Sequence, residues 1–340
     1  MKPVLSMAEI SEGCPTDKKE RKAGALDETG QPGENGGTMP ELAEVDFFRR
    51  CWDVGVGKEV ERVEIHAGAR IFRGCDMDRL VSELPGHSLR ASHTHGKQML
   101  FEFAGGLWLG VHLGMTGELR AEAADYPAGR HDHLALRQKE RTLVFADARM
   151  FGRVRFDETG GGPPAWWRAL PPALLDAAFT EAHLASCLSR RARSPLKAVL
   201  LDQGIFPGVG NWMADEILWR LHWHPLTPVG ALSPAQRGEL WREVRWLAEK
   251  ALATIGVDWS DPPREWLYSH RWATGNPCPR CHRPLAREEA AGRTTCWCPA
   301  CQPWPEMLAD RLPLPAKPRR TGHRRETPFH SHPKPPRPAR

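Results

Sequence analysis

Four cysteines fall into two pairs, Cys278-x2-Cys281 and Cys298-x2-Cys301, with sixteen residues between the pairs. Each pair can present two sulfurs on one tight knuckle, and the intervening residues can close as a hairpin that brings the knuckles together. A closed tetrahedral set of thiolates has no open position, so the expectation is one zinc ion in a structural role. Cys296 stands two residues before Cys298, a spacing that suits a knuckle less well, and Cys14, Cys51, Cys75 and Cys187 are isolated. Such a module occupies a small part of 340 residues. At ~100–200 residues per domain the rest has room for about two more. A hydrophobic share of 41%, a charged share of 26% and a mean hydropathy of −0.50 suit a globular protein. The sequence holds no apolar run of the ~18 residues that a membrane helix needs. Its first residues, Met1 to Glu20, lack the apolar core of an export signal. The expectation is a cytoplasmic monomer with no membrane partner.

The net charge of +5 is unevenly spread. Residues 311–340 carry +8, residues 1–38 carry −2 and the remainder −1. Net charge therefore says little about nucleic acid, and local patches must carry that case. Residues 1–38, rich in Gly, Glu and Lys, read as a disordered extension or a mis-assigned start. Residues 305–340, with scattered Pro, Arg, Lys and His, read as a basic disordered tail.

From Met39 the pattern is orderly. Leu42, Val45, Phe48 and Trp52 recur at helical spacing. Gln98–Phe103 and Leu107–Leu113 alternate on either side of Ala104-Gly105-Gly106, which predicts a hairpin. His133–Leu136, Thr142–Ala146 and Arg153–Phe156 are further strand candidates. After Gly160-Gly161-Gly162-Pro163-Pro164 the period turns helical, with Met213, Ile217 and Leu221 on one face and Leu240, Val244, Leu247 and Ala251 on another. The chain is therefore α+β with segregated parts: 39–165 rich in strands, 166–270 helical, 271–304 the cysteine module.

One ordered series of motifs runs through these parts. It comprises Met39-Pro40-Glu41-Leu42-Ala43-Glu44-Val45, Gly96-Lys97, His112-Leu113-Gly114-Met115-Thr116-Gly117, Asp147-Ala148-Arg149-Met150-Phe151-Gly152, Leu201-Asp202-Gln203, Gly208-Val209-Gly210-Asn211, Ala214-Asp215-Glu216, and Arg293 between the cysteine pairs. Over Met39 to about Gln302 the chain resembles the formamidopyrimidine-DNA glycosylase / endonuclease VIII family of base-excision repair enzymes. The resemblance implies a β-sandwich catalytic domain, a helix–two-turn–helix DNA-binding domain and a C-terminal zinc finger. It implies double-stranded DNA with damaged bases or abasic sites as partner.

The resemblance further implies that Pro40 is the nucleophile, a secondary amine freed by removal of Met39. An α-amino group titrates near ~7.7–8.0, and a helix N-terminus lowers that value if Pro40 opens the helix. Inside a longer chain Pro40 has only a tertiary amide nitrogen, so the expectation is translation from Met39. By the same resemblance Glu41 is the acid/base, Glu44 supports the amine, and Lys97, Asn211 and Arg293 grip phosphates around an extruded nucleotide. Lys197 matches a lysine near the lesion. Met115 and Phe151 are the wedges that fill the vacated stack, and Arg149, with donors only, suits the O2 and N3 acceptors of an orphaned cytosine. Those three fillers favour the formamidopyrimidine branch, hence oxidised purines opposite cytosine. Oxidised pyrimidines are the alternative, or damage binding without catalysis if Pro40 is not terminal. Met150, His93-Thr94-His95 and Ser269-His270-Arg271-Trp272 depart from the family pattern, and a lesion-capping loop falls somewhere in 253–272.

Overall fold

The computed structural model describes residues 39–304 apart from 291. The readings made above for residues 1–38 and 305–340 lie outside the described residues. The described chain opens with α1 (Leu42–Cys51), then runs β1 (Arg62–Ile65), α2 (Met77–Glu83), β2 (Leu89–His95), β3 (Gln98–Phe103), β4 (Leu107–His112), β5 (Gly117–Ala123), β6 (Asp132–Arg137), β7 (Arg141–Asp147) and β8 (Arg153–Glu158). The helical part follows as α3 (Ala165–Arg168), α4 (Glu181–Ser189), α5 (Leu196–Leu200), α6 (Asn211–Arg220), α7 (Pro234–Ala253) and α8 (Ile255–Asp258). The hairpin β9 (Ala286–Ala290) and β10 (Arg293–Trp297) comes last.

The strands form two four-stranded antiparallel sheets, ordered β1-β6-β7-β5 and β2-β3-β4-β8. Alternation gives each sheet one apolar face. Phe101 and Leu109 face each other across β3 and β4, while Leu119 and Phe145 do so across β5 and β7. All four are buried in one shared core, so the two sheets make a sandwich. The hairpin expected at Ala104-Gly105-Gly106 is present, with Phe103 opposite Leu107. β1, β2 and β5 add strands that the sequence reading did not isolate.

The helices enclose a second core. Met213 and Ile217 of α6 and Leu240, Val244, Leu247 and Ala251 of α7 are buried there, on the faces expected from their spacing. α7 starts with a reciprocal cap in which Ser233 and Gln236 satisfy each other's backbone N–H groups. α1 belongs to both cores. Leu42 and Ala43 pack with the helices, whereas Val45 and Trp52 pack with the sandwich. The helical periodicity at the start of the chain therefore encodes a strut between two domains.

Candidate active site

The site begins where α1 meets α6. Glu41 has extended backbone angles (φ −104°, ψ −169°) and is the residue that precedes α1. Pro40 is buried one residue further out, so it does not open the helix as the sequence reading supposed. The Glu41 carboxylate, 2% exposed, crosses to the other domain. It accepts the backbone N–H groups of Gly210 at 2.8 Å, Trp212 at 2.8 Å and Met213 at 3.1 Å. A carboxyl group thus sits on the positive N-terminus of α6, placed there by the chain's own side chain. Gly210 is required by this approach, because a Cβ there would stand 2.2 Å from the Glu41 carboxyl carbon. Glu44 reinforces the junction, accepting the Glu41 N–H at 3.2 Å and the Trp212 indole N–H at 3.0 Å. The Leu42 N–H donates to Gly208 O at 3.0 Å. A Cβ on Gly96, in the β2–β3 turn, would stand 2.8 Å from Gly208 N, so the turn carrying Lys97 lies directly on this loop.

These groups perturb one another. Burial pushes the Glu41 carboxyl above its ordinary value, opposed by the charge of Lys97 and by the N–H groups of Trp212 and Met213. Burial, helped by the charge of Glu41, pushes Glu44 up to about 7. Burial lowers the Lys97 ammonium, against the pull of Glu41 and Glu44. The charge of Arg293, exposed at the start of β10, acts on Lys97 in the same downward direction. Asn211 opens α6 beside them, its amide N–H donating to Thr294 O at 2.8 Å. Lys97, Asn211 and Arg293 therefore stand around the pair of buried acids.

Lys197 is placed differently from what the sequence reading expected of a DNA-binding lysine. It is 0% exposed, and its Nζ donates to Asp215 Oδ1 at 2.5 Å and to the Asn211 carbonyl at 2.8 Å. Burial lowers its pKa against the pull of Asp215. A lysine can be sealed in this way only where a carboxylate meets it, and Asp215 does so from the adjoining face of α6. Asp215 also accepts from Arg271 at 2.6 Å and from the Cys296 N–H at 3.1 Å. Lys197 thus holds the Asn211 turn from beneath, and Asp215 ties that turn to the cysteine module.

A second group of candidates lies on two loops at the end of the sandwich. Met115 is half-buried, Arg149 exposed and Phe151 46% exposed. The Arg149 guanidinium lies 4.9 Å over the Phe151 ring. Both loops hang from Asp147, which is 0% exposed. Its carboxylate accepts from Thr116 Oγ1 at 2.7 Å, Arg149 N at 3.2 Å and Gly152 N at 2.7 Å. Met150, between the two exposed side chains, turns into the sandwich core with φ 53°.

The four paired cysteines converge, with all their sulfurs within 4.8 Å of one another. Cys278 and Cys301 are 4.0 Å apart and Cys281 and Cys298 3.5 Å apart. Zn–S bonds of ~2.3 Å in a tetrahedron set sulfurs ~3.8 Å apart, so these residues fit one zinc ion. Cys296 stays outside the cluster, its N–H on Asp215.

Comparison with known proteins decides the family. Profiles described as the formamidopyrimidine-DNA glycosylase N-terminal domain, its H2TH domain and the zinc finger found in FPG and IleRS match residues 39–154, 170–260 and 275–303. A formamidopyrimidine-DNA glycosylase of Roseiflexus sp. is 34% identical over 280 residues, covering 78% of this chain and 100% of the relative. The chain belongs to the formamidopyrimidine-DNA glycosylase family. The Thermus thermophilus enzyme of the same name is 34% identical over 283 residues, covering 78% of this chain and 98% of that one. A crystal structure of the wild-type Lactococcus lactis Fpg with a N7-benzyl-Fapy-dG containing DNA superposes with a TM-score of 0.69 at 28% identity. It covers 78% of this chain and 100% of that one. This family membership makes the chain a DNA glycosylase of DNA repair, built as a β-sandwich, an H2TH domain and a zinc finger that binds one zinc ion.

Sequence reading gave no role to Asp147, Asp215 or Arg271. Each is buried: Asp147 holds the loop of Arg149 and Phe151, while Asp215 takes both Arg271 and the backbone of β10, which begins at the exposed Arg293. Asp147 and Asp215 sat inside quoted motifs, and the signal available was an acid in a stretch otherwise committed to burial.

Proposed function

We propose that this glycosylase removes oxidised purines, 8-oxoguanine and formamidopyrimidines, from duplex DNA opposite cytosine, and then cleaves the resulting abasic site as a lyase. The observation that carries the reading is the buried Glu41 carboxyl, adjacent to Pro40 and fastened by three backbone N–H groups of the α6 terminus. Pro40, freed as a secondary amine, attacks C1′ of the damaged nucleotide. The sugar ring opens as Glu41, which burial keeps prone to protonation, gives its proton to the ring oxygen. The C1′–N bond breaks, the base leaves with that electron pair and a proton, and an iminium joins Pro40 to C1′. Loss of a C2′ proton to the Glu41 carboxylate then expels the 3′ phosphate. A second elimination expels the 5′ phosphate, and water hydrolyses the iminium.

Lys97, Asn211 and Arg293 hold the phosphates on either side of the extruded nucleotide. Met115 and Phe151 occupy the vacated stack, and Arg149 offers donors to cytosine. Lys197 acts through Asn211 rather than on DNA.

Borohydride reduction of the iminium tests the reading. A chain whose first residue is Pro40 should trap covalently on an 8-oxoguanine·cytosine duplex, and the chain that retains Met1 should not, because its Pro40 nitrogen is an amide. Failure of the Pro40-initiated protein to trap on that duplex or on an abasic duplex would leave damage binding without catalysis.

A further inference from the structure

The sheet β2-β3-β4-β8 has an outer face that the site does not use. Its registers place His95, Gln98, His112 and Arg153 in one row, and His93, Leu100, Gly110 and Arg155 in the next. The first row stands at the end of the sheet from which the Lys97 turn, the Met115 loop and the Phe151 loop emerge. Arg153 follows Gly152 directly, so the row continues the site onto the flank of the sandwich.

Two features of this flank need a reason. Arg153 is exposed and Arg155 half-buried, and among the described residues neither has a carboxylate within ion-pair distance. Arg120 and Arg137 of the same sandwich are both paired with acids. Asp157, the acid whose charge acts on Arg155, accepts the Trp166 indole N–H at 3.0 Å. The second feature is preorganisation. The Arg155 guanidinium lies 4.4 Å over the Trp166 ring, and Trp166 in turn sits on Gly110, where a Cβ would be 2.7 Å from the indole. His112, between Lys97 and the arginines, has Nδ1 engaged by the Gly114 N–H at 3.0 Å. Its remaining ring nitrogen therefore carries the hydrogen and is a donor.

Arg153 and Arg155 repel each other, and Asp157 offsets that repulsion without an ion pair to either, so an anion that joins the two guanidiniums is favoured. Two residues along a strand advance ~6.7 Å, comparable with the step between successive phosphates of one DNA strand. Guanidinium matches phosphate with a planar, two-pronged fork.

We infer that Arg153 and Arg155, fixed by Trp166, form a backbone track that extends duplex DNA binding from the Lys97 turn onto the outer face of β8. The inference rests on the function proposed above, because that reading places a DNA strand at the loops where the track starts. The track carries affinity and register and no base preference.

The test measures duplex affinity against salt for the full chain and for the double variant Arg153→Gln/Arg155→Gln. Each phosphate contact contributes ~0.9 to the slope of log K against log salt, so the variant's slope should fall by about 1.8. Affinity should drop about tenfold for undamaged and damaged duplexes alike. Arg153→Lys/Arg155→Lys should keep most of the slope, which separates lost charge from lost structure. An unchanged slope in the glutamine variant, or an equal loss in the lysine variant, overturns the track and leaves the proposed function standing. A wild-type chain with no salt-dependent duplex binding would overturn both.

Discussion

Glu41 has 2% of its surface in solvent and Phe151 has 46%, although both stand within the proposed site. The junction around Glu41 is sealed. Its carboxylate takes three backbone N–H groups from α6, and Glu44 takes a fourth from Glu41 and the indole of Trp212. The loops with Met115, Arg149 and Phe151 are the reverse, with exposed tips and their main side-chain anchor in one buried carboxylate, Asp147. The contrast follows from the work proposed for each. Proton transfer needs atoms fixed to a fraction of an ångström and shielded from water. Entering a base stack needs side chains that solvent, not protein, surrounds before DNA arrives. The junction therefore joins stability to chemistry, and the loops keep them apart.

The largest expected effect breaks that coupling at the junction. Glu41→Gln replaces one acceptor oxygen with a donor, which faces either Trp212 N–H or the pair from Gly210 and Met213. Base removal should fall by ~10²–10⁴-fold, the usual contribution of a general acid–base. Thermal stability should fall with it, by ~1–3 kcal/mol for the unmatched buried N–H. Phe151→Ala should reduce excision about tenfold and leave the melting temperature within a degree or so, because the ring is 46% exposed and its ring partner is the exposed Arg149 guanidinium. Paired melting curves and single-turnover excision on both variants decide it. A stable Glu41→Gln protein, or an unstable Phe151→Ala one, would show the contrast to be false.

Much of this was legible in the chain. The cysteine spacing specified its own cluster because the ligands lie on two local knuckles. The β3–β4 hairpin and the faces of α6 and α7 followed from short-range periodicity. What escaped is non-local. β2 and β5 read Leu89-Arg-Ala-Ser-His-Thr-His95 and Gly117-Glu-Leu-Arg-Ala-Glu-Ala123, where polar and small residues dilute the alternation that marks a strand. That Glu41 caps a helix 169 residues away depends on two domains meeting, and no window of sequence contains that fact. Lys197 was expected near the lesion by resemblance alone, and only Asp215 in three dimensions explains how it is buried.

A smaller effect sharpens the comparison from the zinc side. The module reaches the junction by three bonds, Asn211 Nδ2 to Thr294 O, and Cys296 N and the Arg271 guanidinium to Asp215. It makes no described bond to the Asp147 loops. Chelation of zinc, or Cys298→Ser, should unfold the β9–β10 hairpin, displace Arg293 and release Asn211. Duplex affinity should fall at least tenfold while most of the helical circular dichroism signal remains. Affinity that survives full zinc removal would show the junction to be independent of the module.

The last effect leaves the activity aside, concerns acid burial within α6 itself, and is read in stability alone. Glu216 is fully buried, with Oε2 accepting the Tyr268 N–H at 3.0 Å and Oε1 without a hydrogen-bond partner among the described residues. Burial pushes its carboxyl from 4.5 up to about 8. The folded protein therefore keeps a proton that the unfolded chain releases above about 4.5. Because the native state binds more protons, stability must decline as pH rises from about 4.5 to about 8, and level off beyond. Glu216→Gln carries no proton to lose and keeps an acceptor for Tyr268. It should match the wild type near pH 4.5 and exceed it progressively up to pH 8. At ~1.4 kcal/mol for each tenfold change in proton affinity the gain is at most a few kcal/mol, seen as several degrees in melting temperature. Melting curves of both proteins between those limits provide the check. A difference that does not vary with pH would mean that Glu216 is held as a carboxylate, and that the sealed side of the molecule tolerates buried charge as freely as its exposed loops do.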